Sequence, residues 1–157
     1  MSAHPVRKVS SLEELQQLAE LLDIVYYEVS GRRSDGFDQP RDDAEEGVGD
    51  DRADIQLMQR MEGNRLSVRT RAMVVTSEGR MIADVAAVFR TPEPVSIPAA
   101  IAKRFAAVIA TPVTRPYVRE AIHQSAVKLG ISAPLLSVLD LEEVGLLPTV
   151  TERKPLP

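Results

Sequence analysis

The sequence predicts an α+β domain in which an antiparallel sheet of four strands precedes two helices packed on one side. Apolar residues alternate with period two between residues 55 and 90, which is typical of half-buried strands. Ala-rich stretches with apolar residues at helical spacing follow between residues 98 and 130. Strands followed by helices are the element order of an α+β fold. At 157 residues the chain has the length of one domain.

The N-terminal part predicts a helix that follows a flexible segment over residues 1–10. Ser11 and Glu14 have capping-box spacing, in which the Ser11 hydroxyl accepts the Glu14 amide and the Glu14 carboxylate reaches back to the Ser11 amide. The helix would bury one apolar face, made of Leu12, Leu15, Leu18, Ala19 and Leu22. Residues 24–30, IVYYEVS, are β-branched and aromatic and predict the first strand.

Residues 31–54 predict a long acidic loop, since they contain four Gly, one Pro and almost nothing apolar. Two interpretations are open for this loop. It is either a solvated linker or a flap that carries Phe37 to a binding surface, because structureless loops of this length in compact domains are often functional.

Three hairpin-linked strands are expected next. Residues 55–61 lead to the hairpin dipeptide Gly63-Asn64, residues 65–76 alternate apolar and polar side chains, and a turn at residues 77–79 leads into residues 80–90. These strands form an antiparallel meander, and residues 24–30 complete a sheet of four strands.

Two helices are predicted after the sheet, with a break between them at Thr111-Pro112. The first begins at Pro98. The second has Thr114 as N-cap, Pro116 in its first turn and Gly130 as its C-terminal stop. An apolar extended segment completes a single domain over residues 11–145, and residues 146–157 are predicted to be a disordered tail.

Composition and charge argue against several functional classes. The net charge of −4 is unsuited to a nucleic-acid binder, which needs clustered Lys and Arg. No apolar run approaches the roughly 20 residues of a membrane span, and no signal peptide is recognised, so we expect a cytoplasmic protein without membrane insertion. The absence of Cys, the presence of only two His and the lack of a Gly-rich phosphate loop predict no metal and no cofactor.

The stretch PYVREAI, followed by a Gly and the extended segment PLLSV, resembles the C-terminal signature of the SecB export chaperone family. The preceding residues, ADVAAVFRTPEPVSIPAAIAKRFAAVIATPVTR, are similar to that family's last strand, Pro-containing connection and short helix. The resemblance implies that the motif residues Pro116, Tyr117, Arg119 and Glu120 are structural. The extra N-terminal helix and the dipeptide Thr114-Arg115 before the motif favour SecB-like members found beside toxin-antitoxin pairs.

This resemblance implies a homotetramer, a dimer of dimers, that holds unfolded or nascent polypeptides in hydrophobic grooves without ATP. Its clients would be exported proteins or a partner such as an antitoxin. The expected client-binding residues are Tyr26, Phe37, Phe89, Ile101 and Phe105.

Glu28 and Asp84 are the plausible acidic positions for docking a SecA-type motor, although Arg32 and Arg33 would oppose a basic partner. The alternative function is a non-chaperone oligomeric domain that binds proteins or a small ligand. A distant third is an enzyme that uses His123 with Glu120 as a base, since the two residues lie three positions apart on a helix.

Overall fold

The computed structural model describes residues 5–34 and 52–133. Phe37, most of the predicted acidic loop, the extended segment and the tail lie outside these residues. The described elements, in chain order, are β1 Arg7–Lys8, α1 Leu12–Leu18, β2 Glu20–Arg33, β3 Arg52–Glu62, β4 Arg65–Val75, β5 Gly79–Arg90, β6 Val95–Ser96, α2 Ala99–Phe105, a π-helical turn Ala106–Ala110 and α3 Thr111–Leu129. None of the helices within the described ranges is long and apolar enough to cross a membrane.

The four-stranded antiparallel sheet is confirmed, with the spatial order β2-β5-β4-β3. Strands β3, β4 and β5 form the expected meander, and β2 lies beside β5 rather than beside its neighbour in sequence. The turn between β3 and β4 has Gly63 at a φ of 61°, a left-handed conformation that Gly adopts without steric cost. Because β2 and β3 are the outer strands in this spatial order, they form the two edges of the sheet. A separate two-stranded parallel sheet joins β1 to β6.

The N-terminal elements have different bounds from those predicted. α1 ends at Leu18 and Ala19 is already extended, so Leu22 lies in the sheet instead of on the helix face. β2 runs over 14 residues because its pairing with β5 extends from Glu20 to Arg33, with bulges at Leu22 and Tyr27. Its extension to Arg33, with the start of β3 at Arg52, shortens the predicted loop at both ends. The segment before Ser11, where the sequence predicts a flexible N-terminus over residues 1–10, contains the short strand β1.

The prediction of a helix break at Thr111-Pro112 was wrong, because the helical chain continues from α2 through the π-helical turn into α3. The Thr111 amide bonds to the Ala106 carbonyl five residues back, and the Thr111 hydroxyl donates to the same oxygen at 2.7 Å. The wider π turn tolerates Pro112, which has no N–H to donate. Thr114 is therefore buried inside a helix and is not an N-cap.

Pro116 lies in the interior of α3 and not in a first turn. Its missing N–H leaves the Pro112 carbonyl without its usual donor, but both residues are exposed, so water can hydrate that oxygen. α3 ends as predicted at Gly130, whose φ of 65° is left-handed.

The helical chain covers one face of the sheet and forms two cores with it. We call the first the aromatic core, whose buried members are Val9, Leu12, Leu15, Leu66, Val68, Ala87, Phe89, Val95, Phe105, Ala106 and Ala110. The second, the aliphatic core, contains Ala72, Val74, Met81, Ala83, Val85, Val118, Ala121, Ile122 and Ala126. The predicted apolar stripe of the last helix supplies the α3 side of the aliphatic core, and the predicted alternating face of β4 and β5 supplies its sheet side.

A buried hydrogen bond between two threonines joins α3 to β4. The Oγ1 atoms of Thr70 and Thr114 are 2.8 Å apart, and Thr114 also donates to the Thr111 carbonyl at 3.2 Å. Since the Thr114 proton is used in that second bond, the Thr70 hydroxyl is the donor to Thr114. Because the bond is buried, removing only one of the two hydroxyls leaves the other without a partner, which destabilises the protein.

Replacing Thr114 with Val is expected to destabilise the protein by about 1–3 kcal/mol, because the buried Thr70 hydroxyl loses its acceptor. The double variant Thr70→Val, Thr114→Val should cost less than the sum of the two single variants, since no hydroxyl is then left unsatisfied. Urea unfolding at one fixed protein concentration measures both. Additive costs in this double-mutant cycle would show that the two hydroxyls do not interact.

Candidate functional site

Three of the predicted client-binding residues meet at the end of β5 nearest α2. The rings of Phe89 and Phe105 pack edge to face with their centroids 5.0 Å apart, a favourable geometry for aromatic pairs. Ile101 packs against the same aromatic core. Phe89 is only 4% exposed and Phe105 only 1% exposed, however, so these side chains do not form an open surface. Another part of the chain covers them.

The cover is the N-terminal segment, residues 5–19, which we call the clasp. β1 pairs in parallel with β6, with Arg7 opposite Val95, and the Val9 amide donates to the Ser96 carbonyl at 2.9 Å. Val9 and Leu15 are fully buried in the aromatic core. Burying each such side chain contributes roughly 1.5–3 kcal/mol. The clasp thus fills the apolar groove between the end of the sheet and α2.

Glu14 holds the clasp in its folded form. The Ser11 hydroxyl accepts the Glu14 amide at 3.1 Å, as the capping box predicts. The Glu14 carboxylate, however, accepts from the amide and hydroxyl of Ser10, at 2.9 and 2.7 Å, and not from the Ser11 amide. Arg7 donates to the same carboxylate at 2.8 Å.

These contacts lower the pKa of Glu14 to about 2, chiefly through the Ser10 amide, then the Ser10 hydroxyl and Arg7. A lowered folded-state pKa means that the stabilisation is fully present above the unfolded pKa, near 4.5, and is lost as the pH falls toward 2. The clasp is therefore held by a charged Glu14 throughout the neutral range.

Tyr26 lies in a different place, in a cleft between β2 and α3. Its ring meets the ring of Tyr117 edge to face at 6.5 Å, and Glu120 also lines the cleft. Burial raises the pKa of Tyr26, and the charges of Glu120 and Tyr117 add to this effect. The structure therefore does not bring Tyr26 together with Phe89. It links Tyr26 instead to two residues of the PYVRE motif.

His123 is exposed on α3 and is not among the residues that line this cleft, although its predicted partner Glu120 is. Within residues 5–34 and 52–133, no group of three or more His, Cys, Asp or Glu is arranged to hold a metal ion.

The two predicted acidic docking residues meet on the opposite face of the sheet. Glu28 and Asp84 are cross-strand partners of β2 and β5. Asp84 is fully buried and accepts two bonds from Arg69, at 2.7 and 2.8 Å. Arg71 bridges Glu28 at 2.6 Å and Asp84 at 3.2 Å. The Arg69 guanidinium also stacks on the Tyr27 ring, 4.1 Å from its centroid.

These arginines neutralise both carboxylates, and the bond from Arg71 is the main reason that the pKa of Glu28 is lowered. Motor docking at Glu28 and Asp84 remains a prediction, but Asp84 is not presented to solvent in this arrangement. The reasoning from sequence did not identify Arg69 and Arg71. The pairing register of β4 with β5 would have identified them, because the turn at residues 77–79 places Arg71, on the polar face of β4, directly opposite Asp84.

An antiparallel four-stranded sheet backed on one face by one long helical chain places this protein in the SecB-like class of α+β folds. The same fold is seen in the SecB-like chaperone Rv1957 of Mycobacterium tuberculosis, solved in complex with a ChAD peptide from the Rv1956 HigA1 antitoxin. That structure matches with a TM-score of 0.60 and 13% sequence identity, over 78% of this chain and 88% of Rv1957.

The sequence is also 31% identical to the SecB-like chaperone SmegB of Mycolicibacterium smegmatis. The alignment of 128 residues covers 82% of this chain and 80% of SmegB. No family model matches the sequence. The identity and coverage with SmegB show that the chain belongs to the SecB-like chaperone family.

Replacing Asp84 with Asn is expected to destabilise the protein by about 2–3 kcal/mol, because two arginines lose the charge that compensates them. The cost is set below that of a fully buried pair because the arginine side chains are 32% exposed. Glu62→Gln is the matched control, since Glu62 pairs with Arg60 at the surface and should cost less than about 0.5 kcal/mol. Equal costs for the two variants in urea unfolding would contradict the assignment.

Proposed function

We propose that this protein is an ATP-independent chaperone that holds unfolded or nascent polypeptides in the apolar groove that the clasp fills. The observation that carries the proposal is that a chain of the SecB-like family gathers Phe89, Ile101 and Phe105 into one apolar cluster, which the clasp covers. A holding chaperone acts by mass action on the unfolded state, so it needs apolar surface and no nucleotide. The sequence has no Gly-rich phosphate loop, which agrees with this mechanism.

The client we propose is a partner such as an antitoxin, held in the cytoplasm. Rv1957 was solved with an antitoxin peptide, and its fold is shared by this chain. Export through a SecA-type motor would require accessible acidic positions on the sheet. Pairing of Glu28 and Asp84 with Arg69 and Arg71 supports the antitoxin role over motor docking.

We further propose that the chain assembles as a homotetramer, a dimer of dimers. The edge strand β2 has exposed apolar side chains on both faces of the sheet, namely Leu21, Leu22, Tyr26, Tyr27 and Val29. An edge strand of 14 residues presents unpaired backbone groups, and natural proteins usually protect such edges with charge or Pro. A second copy that pairs with β2 would satisfy these groups and bury part of this apolar surface.

The chaperone proposal predicts that the wild-type protein, in stoichiometric excess and without nucleotide, suppresses aggregation of heat-unfolded citrate synthase. Ile101→Ser should weaken this capture about tenfold, because Ile101 is half-buried at the groove and its loss removes apolar contact with a client. Ile101 is preferred to Phe89 or Phe105, whose truncation would itself cost about 3–5 kcal/mol of stability.

Val127→Ser is the matched control, since Val127 is 58% exposed near the other end of the helical chain. Light scattering must first show that both variants assemble as the wild type does. An inactive wild type would exclude the chaperone function. Equal weakening by the two variants would move the client site away from the groove.

The assembly proposal predicts a particle about four times the mass of the 17.2 kDa chain in light scattering at micromolar concentration. Val29→Lys should shift the population to smaller species, because a charge on an exposed edge strand disfavours pairing. Gln56→Lys adds the same charge to the other edge strand, β3, and should leave the mass unchanged. A monomeric wild type, or dissociation by Gln56→Lys instead, would contradict pairing through β2.

A further inference from the structure

We propose that the clasp is an intramolecular occupant of the client groove, and that a client binds by displacing it with an apolar segment of its own. This inference rests on the proposed chaperone function, because it concerns how the groove of that chaperone becomes accessible. The clasp covers the groove with two kinds of contact that an unfolded polypeptide also offers.

The first kind of contact is made by the main chain. β1 adds to β6 as a parallel strand, with Arg7 opposite Val95 and Lys8 opposite Ser96, and Val9 extends the pairing through its amide. Strand addition of this sort is a general way to bind an extended peptide, since backbone groups are common to all sequences. The edge of β6 is therefore a docking edge for an extended client segment.

The second kind of contact is made by apolar side chains at regular spacing. Val9, Leu12 and Leu15 recur every three residues and are buried against the aromatic core that contains Phe89 and Phe105. The groove thus selects a short extended stretch followed by apolar residues three apart. Unfolded chains carry many such stretches, so the clasp defines the chemistry of the client without restricting it to one sequence.

The topology allows the clasp to leave without breaking the main sheet. β1 and β6 form their own two-stranded sheet, while the pairing of β2 with β5 begins only at Glu20. Ala19, an extended residue, separates the helix of the clasp from β2. The strand pairing lost on opening involves two residues on each side, and the ion pair of Arg7 with Glu93 outside the clasp, at 3.8 Å, is exposed.

The tether makes the clasp a permanent competitor of any client. A client can bind only to the fraction of molecules in which the groove is open, so the apparent dissociation constant of the client rises as that fraction falls. Locking the clasp shut should abolish capture, and loosening it should strengthen capture. A clasp that is merely part of the core would produce neither effect.

The chain has no Cys, so a single engineered pair can lock the clasp. Lys8 and Ser96 are register partners with exposed side chains, and neighbouring strands lie about 4.8 Å apart, which suits a disulfide. In the double variant Lys8→Cys, Ser96→Cys, we expect the oxidised form to suppress citrate synthase aggregation at least tenfold less well than the reduced form. Lys8→Cys alone, under the same oxidising conditions, is the control for oxidation itself.

Equal activity of the oxidised and reduced forms would overturn the clasp proposal and leave the chaperone function standing. Inactivity of the wild type as well would remove the chaperone function, and the clasp proposal with it. Lost capture in the oxidised form, restored by reduction, would support both.

A second measurement loosens the clasp instead. The probe is a fluorescent peptide with the sequence of residues 5–19, PVRKVSSLEELQQLA, offered in trans. Glu14→Gln removes the charge that pairs with Arg7 and Ser10 inside the clasp, which destabilises the folded form of the clasp and should tighten binding of this peptide about threefold to tenfold. Glu13→Gln, an exposed position of the same helical turn, should leave it unchanged. Binding that is the same in both variants, or no weaker for a probe with Ser at Leu12 and Leu15, would count against displacement.

Discussion

Burial of β5 on both faces is the constraint on which the rest of the structure depends. The strand lies in the middle of the sheet, and every residue from Met81 to Ala87 is buried. Its two faces are covered in different ways. On one face, the helical chain packs against Val85 and Ala87, while on the other, the side chains of Arg69 and Arg71 surround Asp84.

The arginine cover explains why an acidic residue can occupy the centre of a sheet. A lone buried carboxylate would be very costly, but Asp84 accepts three bonds from two guanidinium groups that stay partly hydrated. The aliphatic stems of the arginines and the Tyr27 ring shield the sheet while the charges remain near water. The polar face is therefore covered by long side chains instead of by a second layer of secondary structure.

On the face of the sheet that the helices cover, one continuous helical chain must reach both the aromatic core and the aliphatic core. The π-helical turn between α2 and α3 achieves this, because it lets the chain pass Pro112 without breaking. If the chain had broken at Thr111, as expected, Thr114 would have capped a new helix instead of bonding to Thr70. The bond between Thr70 and Thr114 thus depends on the helical continuity that sequence reasoning missed.

Local patterns in the sequence predicted the strands of the meander, the Gly63 turn, the Ser11 cap and the Gly130 stop, because each depends on neighbouring residues alone. The fold class followed from their order. Tertiary pairing decided what local patterns could not. Leu22 has helical spacing but lies in β2, at a bulge between Leu21 and Asp23, which both pair with β5.

Phe89, Ile101 and Phe105 lie together because they flank one connection, but their exposure could not be predicted. That depends on Val9 and Leu15, which lie more than 70 residues away in sequence from Phe89.

A binding surface for unfolded chains must be apolar, yet an open apolar surface promotes uncontrolled association. A separate blocking protein would resolve this conflict only at sufficient concentration, whereas a tethered segment is always present at high effective concentration. The clasp can leave the groove without breaking the main sheet, because its strand pairing with β6 is short and its ion pair with Glu93 lies at the surface. The edge of β2 has no such cover among the described residues, which is why we propose that edge for assembly and the groove for clients.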